Sequence, residues 1–307
     1  MREALQSAVC RVAGRDLHYV HAGDGPPIVF LHGVLGSHEV WADLAAELAQ
    51  EHTVVVPDLF GHGASDKHEG DYSLGAHAAG VRDLLSALGF DRVTMIGHSL
   101  GGGIALQFSY LFPERVEALV LVASGGLGRE VNLLLRAPTF PGSEWVLPVI
   151  ASRWATRQGN TLSRGLRMVG VKGGPDVAQA WHGFESLGDA ESRRAFLATI
   201  RSVVGPEGQR VSAQELLPGI TVPTLLVWGA RDRMIPLAHA QEAVQKIPDA
   251  RLVVFDRGGH FPHLDEPDRF ADLIREFTQE VASRGQTRLQ SRKAPRDRTD
   301  RGLAAGQ

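Results

Sequence analysis

Short apolar runs, each followed by residues with helical periodicity, organise most of this chain. The run at 28–31 is fully apolar, and those at 53–56, 93–96, 116–123, 224–229 and 252–255 are mostly apolar. Continuous apolarity without alternation is typical of parallel strands that are covered on both faces. Between the runs, apolar residues such as Leu74, Val81 and Leu85 share one helical face. The pattern predicts a mostly parallel, doubly wound sheet with right-handed crossovers.

Two stretches depart from this pattern. Residues 9–12 and 17–21 alternate between apolar and polar, with a turn-forming segment at 13–16, which predicts a hairpin at an antiparallel edge. From 124 to 218 no run is typical of a buried strand, and Pro and Gly interrupt short helical patches. The sequence therefore predicts a core built from 1–123 and 219–283, with an insertion at 124–218.

The C-terminal stretch differs in composition from the rest of the chain. After a helix predicted near 268–280, residues 284–307 are polar and rich in Arg, without a hydrophobic period. Such a segment cannot bury enough apolar surface to fold alone, so we expect a disordered basic tail. Docking to an acidic surface is one interpretation of its charge, and simple solvation is the other.

Composition restricts the class of protein. The 307 residues are 43% hydrophobic and 22% charged, which fits a soluble globular protein with one large domain. A formal net charge of −3 gives no indication of a nucleic-acid partner, and the single Cys10 excludes an internal disulfide. Residues 1–10 lack the apolar core of a signal peptide, and no stretch of membrane-spanning length occurs. We expect a cytoplasmic protein.

The run at 93–96 leads into Gly97-His98-Ser99-Leu100-Gly101-Gly102 and then a helix of small residues. This pattern predicts a strand, a sharp turn and a helix, with Ser99 at the apex. The turn forces Ser99 into a crowded backbone conformation, so small residues are needed where strand and helix meet. The N–H of Leu100 would lie at the positive end of the helix dipole, where it could stabilise an oxyanion.

These residues resemble the nucleophile elbow of the α/β-hydrolase family, in its Gly-His-Ser-x-Gly-Gly form. The resemblance extends over about 9–280 and implies the α/β-hydrolase fold, with the insertion at 124–218 as a helical cap. His32-Gly33-Val34, after the run at 28–31, is similar to the family's oxyanion loop, which implies the backbone N–H of Val34 as a second donor. His32 precedes the nucleophile by many residues, and we interpret it as a residue that fixes the loop.

The resemblance also implies a catalytic triad. Ser99, Asp232 and His260 occur in the family's order of nucleophile, acid and histidine, each just past the end of a predicted parallel strand. His260 would take the proton of Ser99, and Asp232 would fix the imidazole tautomer. Asp256 and Asp265 are alternative acids, but both are too near His260 in sequence to reach behind its ring easily.

The type of nucleophile narrows the chemistry. Relatives that open epoxides or displace halide carry an aspartate at the elbow, so Ser99 favours acyl transfer. No Cys/His cluster or His-x-x-x-His helix suggests a metal, and no Gly-x-Gly-x-x-Gly follows a strand to suggest a dinucleotide. We therefore predict an enzyme without a cofactor.

The sequence thus predicts a serine hydrolase that cleaves a carboxylic ester or related acyl bond of a small, partly apolar substrate. Hydrolysis of carbon–carbon bonds in ring-opened aromatic diketones and a receptor role with an intact triad remain alternatives. Candidate lining residues of the cap pocket are aromatic: Trp145, Trp154, Trp181 and Phe184. These side chains could instead pack the cap against itself.

Overall fold

The computed structural model describes residues 4–152 and 174–293. The strands are β1 Gln6–Val12, β2 Arg15–Ala22, β3 Pro27–Leu31, β4 Thr53–Pro57, β5 Val93–His98, β6 Val116–Val122, β7 Val204–Gly205, β8 Gly208–Gln209, β9 Thr224–Gly229 and β10 Ala250–Phe255. The helices are α1 Ala42–Leu48, α2 Leu74–Ala87, α3 Leu100–Leu111, α4 Leu133–Arg136, α5 Ser143–Ile150, α6 Pro175–Ser186, α7 Ala190–Val203, α8 Ala238–Lys246, α9 Pro262–Asp265 and α10 Pro267–Lys293.

One eight-stranded sheet forms the centre of the molecule, in the order β1-β2-β4-β3-β5-β6-β9-β10. The pairs β1/β2 and β2/β4 are antiparallel, and all later neighbours are parallel. The predicted parallel sheet with an antiparallel edge hairpin is therefore confirmed. The strand order reverses at β3, so the carboxyl ends of β3 and β5 flank the crevice where open α/β sheets bind ligands.

Helices cover both faces of the sheet. Alternate side chains of β3 divide between the faces: Val29 and Leu31 pack towards α2, α3 and α8, whereas Ile28 and Phe30 pack towards α1 and α10. All four of these side chains are buried. Burial on both faces explains why the central strands carry no polar alternation.

The chain between β6 and β9 contains α4 to α7 and builds a small apolar cluster of its own. That cluster comprises Leu147, Ala151, Leu187, Phe196, Ile200 and Val204. The sequence showed no run typical of a buried strand in this stretch. The structure nevertheless contains the antiparallel pair β7 and β8 there, which the sequence did not predict. Strands of two residues are too short to produce a hydrophobic pattern.

The last helix extends further than its hydrophobic pattern. Helix α10 runs to Lys293 and enters the segment that the sequence predicted to be disordered. Gln, Arg and Lys propagate a helix well once it has begun. Residues 294–307 lie outside the described part. Within the described ranges, no helix has the length and apolarity needed to cross a bilayer.

Candidate active site

Ser99 lies at the turn between β5 and α3 with φ 53° and ψ −114°. This left-handed conformation is uncommon for a residue with a side chain and stores strain. Backbone hydrogen bonds hold it in place: the Ser99 N–H donates to the Val122 carbonyl at 3.0 Å, and the Ser99 carbonyl accepts from Gly102, Gly103 and Gly125. The crowded conformation predicted for Ser99 is confirmed.

Glycines allow the close approach of strand, helix and neighbouring loop at this turn. A Cβ atom at Gly97 would lie 2.3 Å from the Gly101 carbonyl oxygen, and one at Gly101 would lie 2.3 Å from the Leu31 carbonyl oxygen. Real Cβ atoms do not approach backbone oxygen so closely, because the contact is far inside van der Waals range. The elbow therefore requires glycine at both positions.

The structure brings Asp232 and His260 together. Nδ1 of His260 lies 2.9 Å from Oδ2 of Asp232, and the Asp232 side chain has no exposed surface. The other carboxylate oxygen, Oδ1, accepts from the backbone N–H groups of Met234 and Ile235 at 2.7 and 3.0 Å. Both carboxylate oxygens of Asp232 thus accept hydrogen bonds, and the bond to Nδ1 orients the ring of His260.

The rival carboxylates lie elsewhere. Asp256 is exposed, and Asp265 accepts from the backbone N–H of Gly259 at 2.7 Å. Neither forms a hydrogen bond to the ring of His260 within the described residues.

His98 connects the elbow with the histidine loop. Its Nε2 donates to the His260 carbonyl at 2.9 Å, and the two imidazole centroids lie 4.7 Å apart. Burial, together with the neighbouring His260 and His263, lowers the pKa of His98 well below its usual value, so the ring is neutral. The Ser99 hydroxyl and His260 do not hydrogen-bond in this structure. Such contacts are often long without substrate and shorten in the reacting complex.

The two predicted backbone donors flank Ser99. Val34, Ser99 and Leu100 line one pocket, and among the described residues no carbonyl accepts from the N–H of Val34 or Leu100. Gly33 brings the loop close, since a Cβ atom there would lie 3.2 Å from Cβ of Ser99. Two free N–H groups next to a serine are the elements of an oxyanion hole.

His32 links the loop after β3 to the loop after β4. Its Nδ1 donates to the Gly33 carbonyl at 2.8 Å, and its Nε2 accepts from the Leu59 N–H at 3.0 Å. Burial lowers the pKa of His32, which favours the neutral ring that this bonding pattern requires. The geometry agrees with the interpretation of His32 as a residue that fixes the loop.

The pocket at Ser99 is apolar. Leu74 and Ile235 line it together with Leu135 and Ile200, which lie between β6 and β9. Gln209 is its notable polar residue, and this side chain bridges the loop after β6 by accepting from Gly126 at 2.6 Å and donating to Gly128 at 2.7 Å. Sequence reasoning missed Gln209, because β8 gives no pattern of its own. No lining residue that the structure describes carries a charge.

The predicted aromatic lining residues lie apart from this pocket in the described structure. Trp145 is 77% exposed on α5, and Trp181 and Phe184 pack against each other on α6 with ring centroids 5.7 Å apart. None of these three is among the residues that line the pocket at Ser99. Trp154 lies outside the described residues.

One set of potential metal ligands occurs in the described ranges, formed by His18, His38 and Asp58. Asp58 already accepts from both imidazoles at 3.0 Å and from the backbone N–H groups of His38 and Ala64 at 2.6 and 2.8 Å. The hydrogen bond to Asp58 raises the pKa of His38. These four donors satisfy the carboxylate, and the cluster joins β2 to the segment around His38 and to the loop after β4.

A buried histidine near the site should make the fold sensitive to acid. Burial, with a contribution from His260, lowers the pKa of His263 to about 3, and its ring stacks on Trp41 at 4.1 Å. Between that pKa and the unfolded-state value of about 6.5, the unfolded chain binds a proton that the folded chain does not. The free energy of unfolding should therefore fall with decreasing pH, by up to about 1.4 kcal/mol per pH unit from this residue.

Urea titrations at a series of pH values from about 7 to 4 test this expectation. The His263→Phe variant should show a shallower fall in unfolding free energy than the wild type. His68→Gln is the matched control, because the His68 side chain is 59% exposed, and its slope should equal that of the wild type. An unaltered slope in His263→Phe would contradict the assignment.

Fold and site together define an α/β hydrolase: a mostly parallel sheet carries a strained serine elbow and an Asp–His pair at the carboxyl ends of its strands. The chain belongs to the α/β-hydrolase fold family, whose sequence profile matches residues 26–267.

Comparison with individual proteins gives the following similarities. An uncharacterized protein of Mycobacterium tuberculosis is 39% identical over 284 residues, covering 88% of this chain and 81% of that protein. The 2-hydroxy-6-oxo-6-(2'-aminophenyl)hexa-2,4-dienoic acid hydrolase of Metapseudomonas resinovorans is 29% identical, covering 86% of this chain and 88% of that enzyme. Among solved structures, an N-acyl homoserine lactone degrading enzyme matches with a TM-score of 0.67 and 27% identity, covering 88% of this chain and 100% of that one.

Proposed function

We propose that this α/β hydrolase is a serine hydrolase that cleaves a carboxylic ester or related acyl bond of a small, partly apolar substrate. The observation that carries the proposal is the Asp232–His260 pair, held at 2.9 Å in a loop that is hydrogen-bonded to His98, the residue beside the strained Ser99. A histidine oriented by a buried carboxylate next to an apical serine is the arrangement that activates a hydroxyl nucleophile.

The residues have the following roles. The Ser99 oxygen attacks the acyl carbon while Nε2 of His260 takes its proton, and Asp232 stabilises the resulting imidazolium through Nδ1. The N–H groups of Val34 and Leu100 stabilise the negative charge on the acyl oxygen. His260 then passes the proton to the leaving group, and water activated by the same ring releases the acid from Ser99.

The division into a core, comprising 1–123 and 219–283, and a cap at 124–218 fits this reaction. Leu135 and Ile200 of the proposed cap line the pocket together with the core residues Val34 and Leu100. Apolar side chains next to the acyl group would reduce its contact with water, which strengthens electrostatic interactions inside a site. The proposed cap also supplies much of the surface that selects the substrate.

An apolar acyl group suits this pocket, because its described lining residues are uncharged. A buried carboxylate would need a cationic partner or several hydrogen bonds. Each methylene added to the acyl chain of a p-nitrophenyl ester should therefore raise kcat/KM by up to about fourfold until the pocket is filled.

Variants of the pocket wall test this expectation in steady-state assays with the graded esters. Leu135→Ala should move the optimum to longer acyl chains, because Leu135 lines the pocket. Leu134→Ala and Trp145→Ala serve as controls, since these side chains are 72% and 77% exposed, and both should keep the wild-type optimum. An optimum that stays fixed in Leu135→Ala would show that the acyl group binds elsewhere.

Carbon–carbon bond hydrolysis is the second candidate, favoured by the dienoic acid hydrolase that is 29% identical to this chain. The two candidates predict opposite rankings when kcat/KM is measured for the esters and for 2-hydroxy-6-oxo-6-phenylhexa-2,4-dienoate. Higher values for the esters support the proposal, and higher values for the dienoate assign the second activity. Saturable binding without turnover of any of these compounds would indicate a receptor.

A further inference from the structure

The loop that carries His260 is fixed by carboxylates that come from outside it. Gly259 donates its N–H to Asp265 at 2.7 Å. The next two N–H groups, of His260 and Phe261, donate to Asp176 at 3.0 and 3.3 Å. Three consecutive backbone donors are thus satisfied by two side chains. Hydrogen bonds to an ionised carboxylate are roughly twice as strong as neutral ones, so these contacts restrict the loop strongly.

Asp176 belongs to the insertion, whereas the loop belongs to the core. It is the second residue of α6, and the preceding Gly174 has no side chain that could cap that helix. An aspartate in a first helical turn often serves its own helix dipole. Here both carboxylate oxygens accept from the His260 N–H, across 84 positions of sequence.

Gly259 has no side chain that would block this contact. A Cβ atom at Gly259 would lie 2.3 Å from Oδ2 of Asp176, so a side chain there would push the carboxylate away. Asp265 accepts from the N–H of Gly259 itself, and burial together with the nearby charge of Asp176 raises the pKa of Asp265. The two carboxylates therefore contact one short stretch of backbone, 259–261.

We propose that Asp176 is a positioning residue that couples the insertion to His260. When α6 lies against the core, Asp176 fixes the backbone of His260 and so the direction of its ring, while Asp232 fixes the ring through Nδ1. When α6 moves away, the N–H groups of His260 and Phe261 lose their acceptor, and the ring loses its alignment with Ser99. The inference rests on the proposed role of His260 as the base, and it makes closure of the insertion a condition for acylation.

The coupling affects the chemical step more than substrate binding, because neither Asp176 nor His260 is among the pocket-lining residues. Asp176→Ala should lower the acylation rate by at least about tenfold and leave KM within about threefold. Asp176→Asn retains one acceptor oxygen in the same place, so it should recover most of the lost rate. A residue that served only to hold the insertion folded would change KM along with kcat.

Pre-steady-state hydrolysis of a p-nitrophenyl ester and amide hydrogen exchange by NMR test the proposal together. In Asp176→Ala, exchange at the amides of His260 and Phe261 should rise by at least about tenfold, because both lose a charged acceptor. Asp189→Ala is the matched control: Asp189 caps the next helix, α7, by accepting from the Ser192 N–H at 2.8 Å. This variant should leave the exchange rates of the two amides unchanged, and the acylation rate as well.

The outcomes separate this inference from the proposed function. Unchanged exchange at the two amides in a folded Asp176→Ala protein overturns the role of Asp176, and so does an acylation rate equal to that of the wild type. An equal loss of rate in Asp189→Ala also overturns it, because general loosening of the insertion would then explain the effect. A wild-type protein that hydrolyses no ester rejects the proposed function, whereas the exchange comparison still decides whether Asp176 holds the loop.

Discussion

Replacing Ser99 with alanine should lower ester turnover by about 10⁴- to 10⁶-fold, the range found when the nucleophile of a Ser-His-Asp triad is removed. The loss follows because no acyl-enzyme can form without the hydroxyl. The fold should tolerate the change well, because main-chain hydrogen bonds hold the backbone of residue 99 and do not involve the hydroxyl. Turnover and melting temperature measured on the same preparation check both statements.

Ser124→Ala provides the matched control for this experiment. Ser124 is buried close to the elbow, and its hydroxyl donates to the Gly125 carbonyl at 2.8 Å. That variant should keep its turnover within about tenfold, a barrier change of about 1.4 kcal/mol. A fluorophosphonate probe should label Ser99 and no other serine, as mapped by mass spectrometry. A folded Ser99→Ala protein that stays active would disprove the serine mechanism.

Replacing Asp232 with asparagine should lower turnover by about 10⁴-fold, the effect of this change in other triads. The structure explains why the amide would take the unfavourable orientation. Oδ1 of Asp232 accepts from the N–H groups of Met234 and Ile235, so the amide oxygen of asparagine must remain there. The NH₂ group then faces Nδ1 of His260 and forces the proton onto Nε2, where it blocks acceptance of the Ser99 proton.

Asp256→Asn is the control, because Asp256 lies exposed and does not bond to the ring. Its turnover should stay within about tenfold of the wild type. NMR of the imidazole nitrogens reports the tautomer directly, and Asp232→Asn should shift the proton from Nδ1 to Nε2. If Asp256→Asn proved the more damaging change, Asp232 would not be the acid of the site.

The sheet could be predicted from sequence because strands that are buried on both faces appear as short runs of mostly apolar residues. Residues 93–96 and 224–229 are apolar apart from Thr94 and Thr224, and both runs are strands in the structure. The sharp turn at Ser99 could be predicted as well, since its glycine-rich spacing is set by sterics. The strands and this turn are each encoded within a few consecutive residues.

Other features depend on contacts between distant residues and left no local pattern. Asp176 reaches His260 across 84 positions, and Gln209 reaches Gly126 across 83, from a strand of two residues. Trp145 shows the opposite difficulty: an aromatic residue in a pocket-forming segment suggests a lining role, yet its side chain is 77% exposed. Which face of a short helix is covered depends on tertiary packing rather than on residue type.

The backbone conformation of residue 99 lowers the stability of the fold, while the side chain at that position is needed for the proposed chemistry. A side chain held at φ 53° costs on the order of 1–3 kcal/mol, against a total stability of about 5–15 kcal/mol for a typical domain. Glycine would occupy that position without strain, so a search for heat-resistant variants that ignored activity would tend to delete the hydroxyl. Stabilising the enzyme by directed evolution therefore needs a screen that scores turnover at every round.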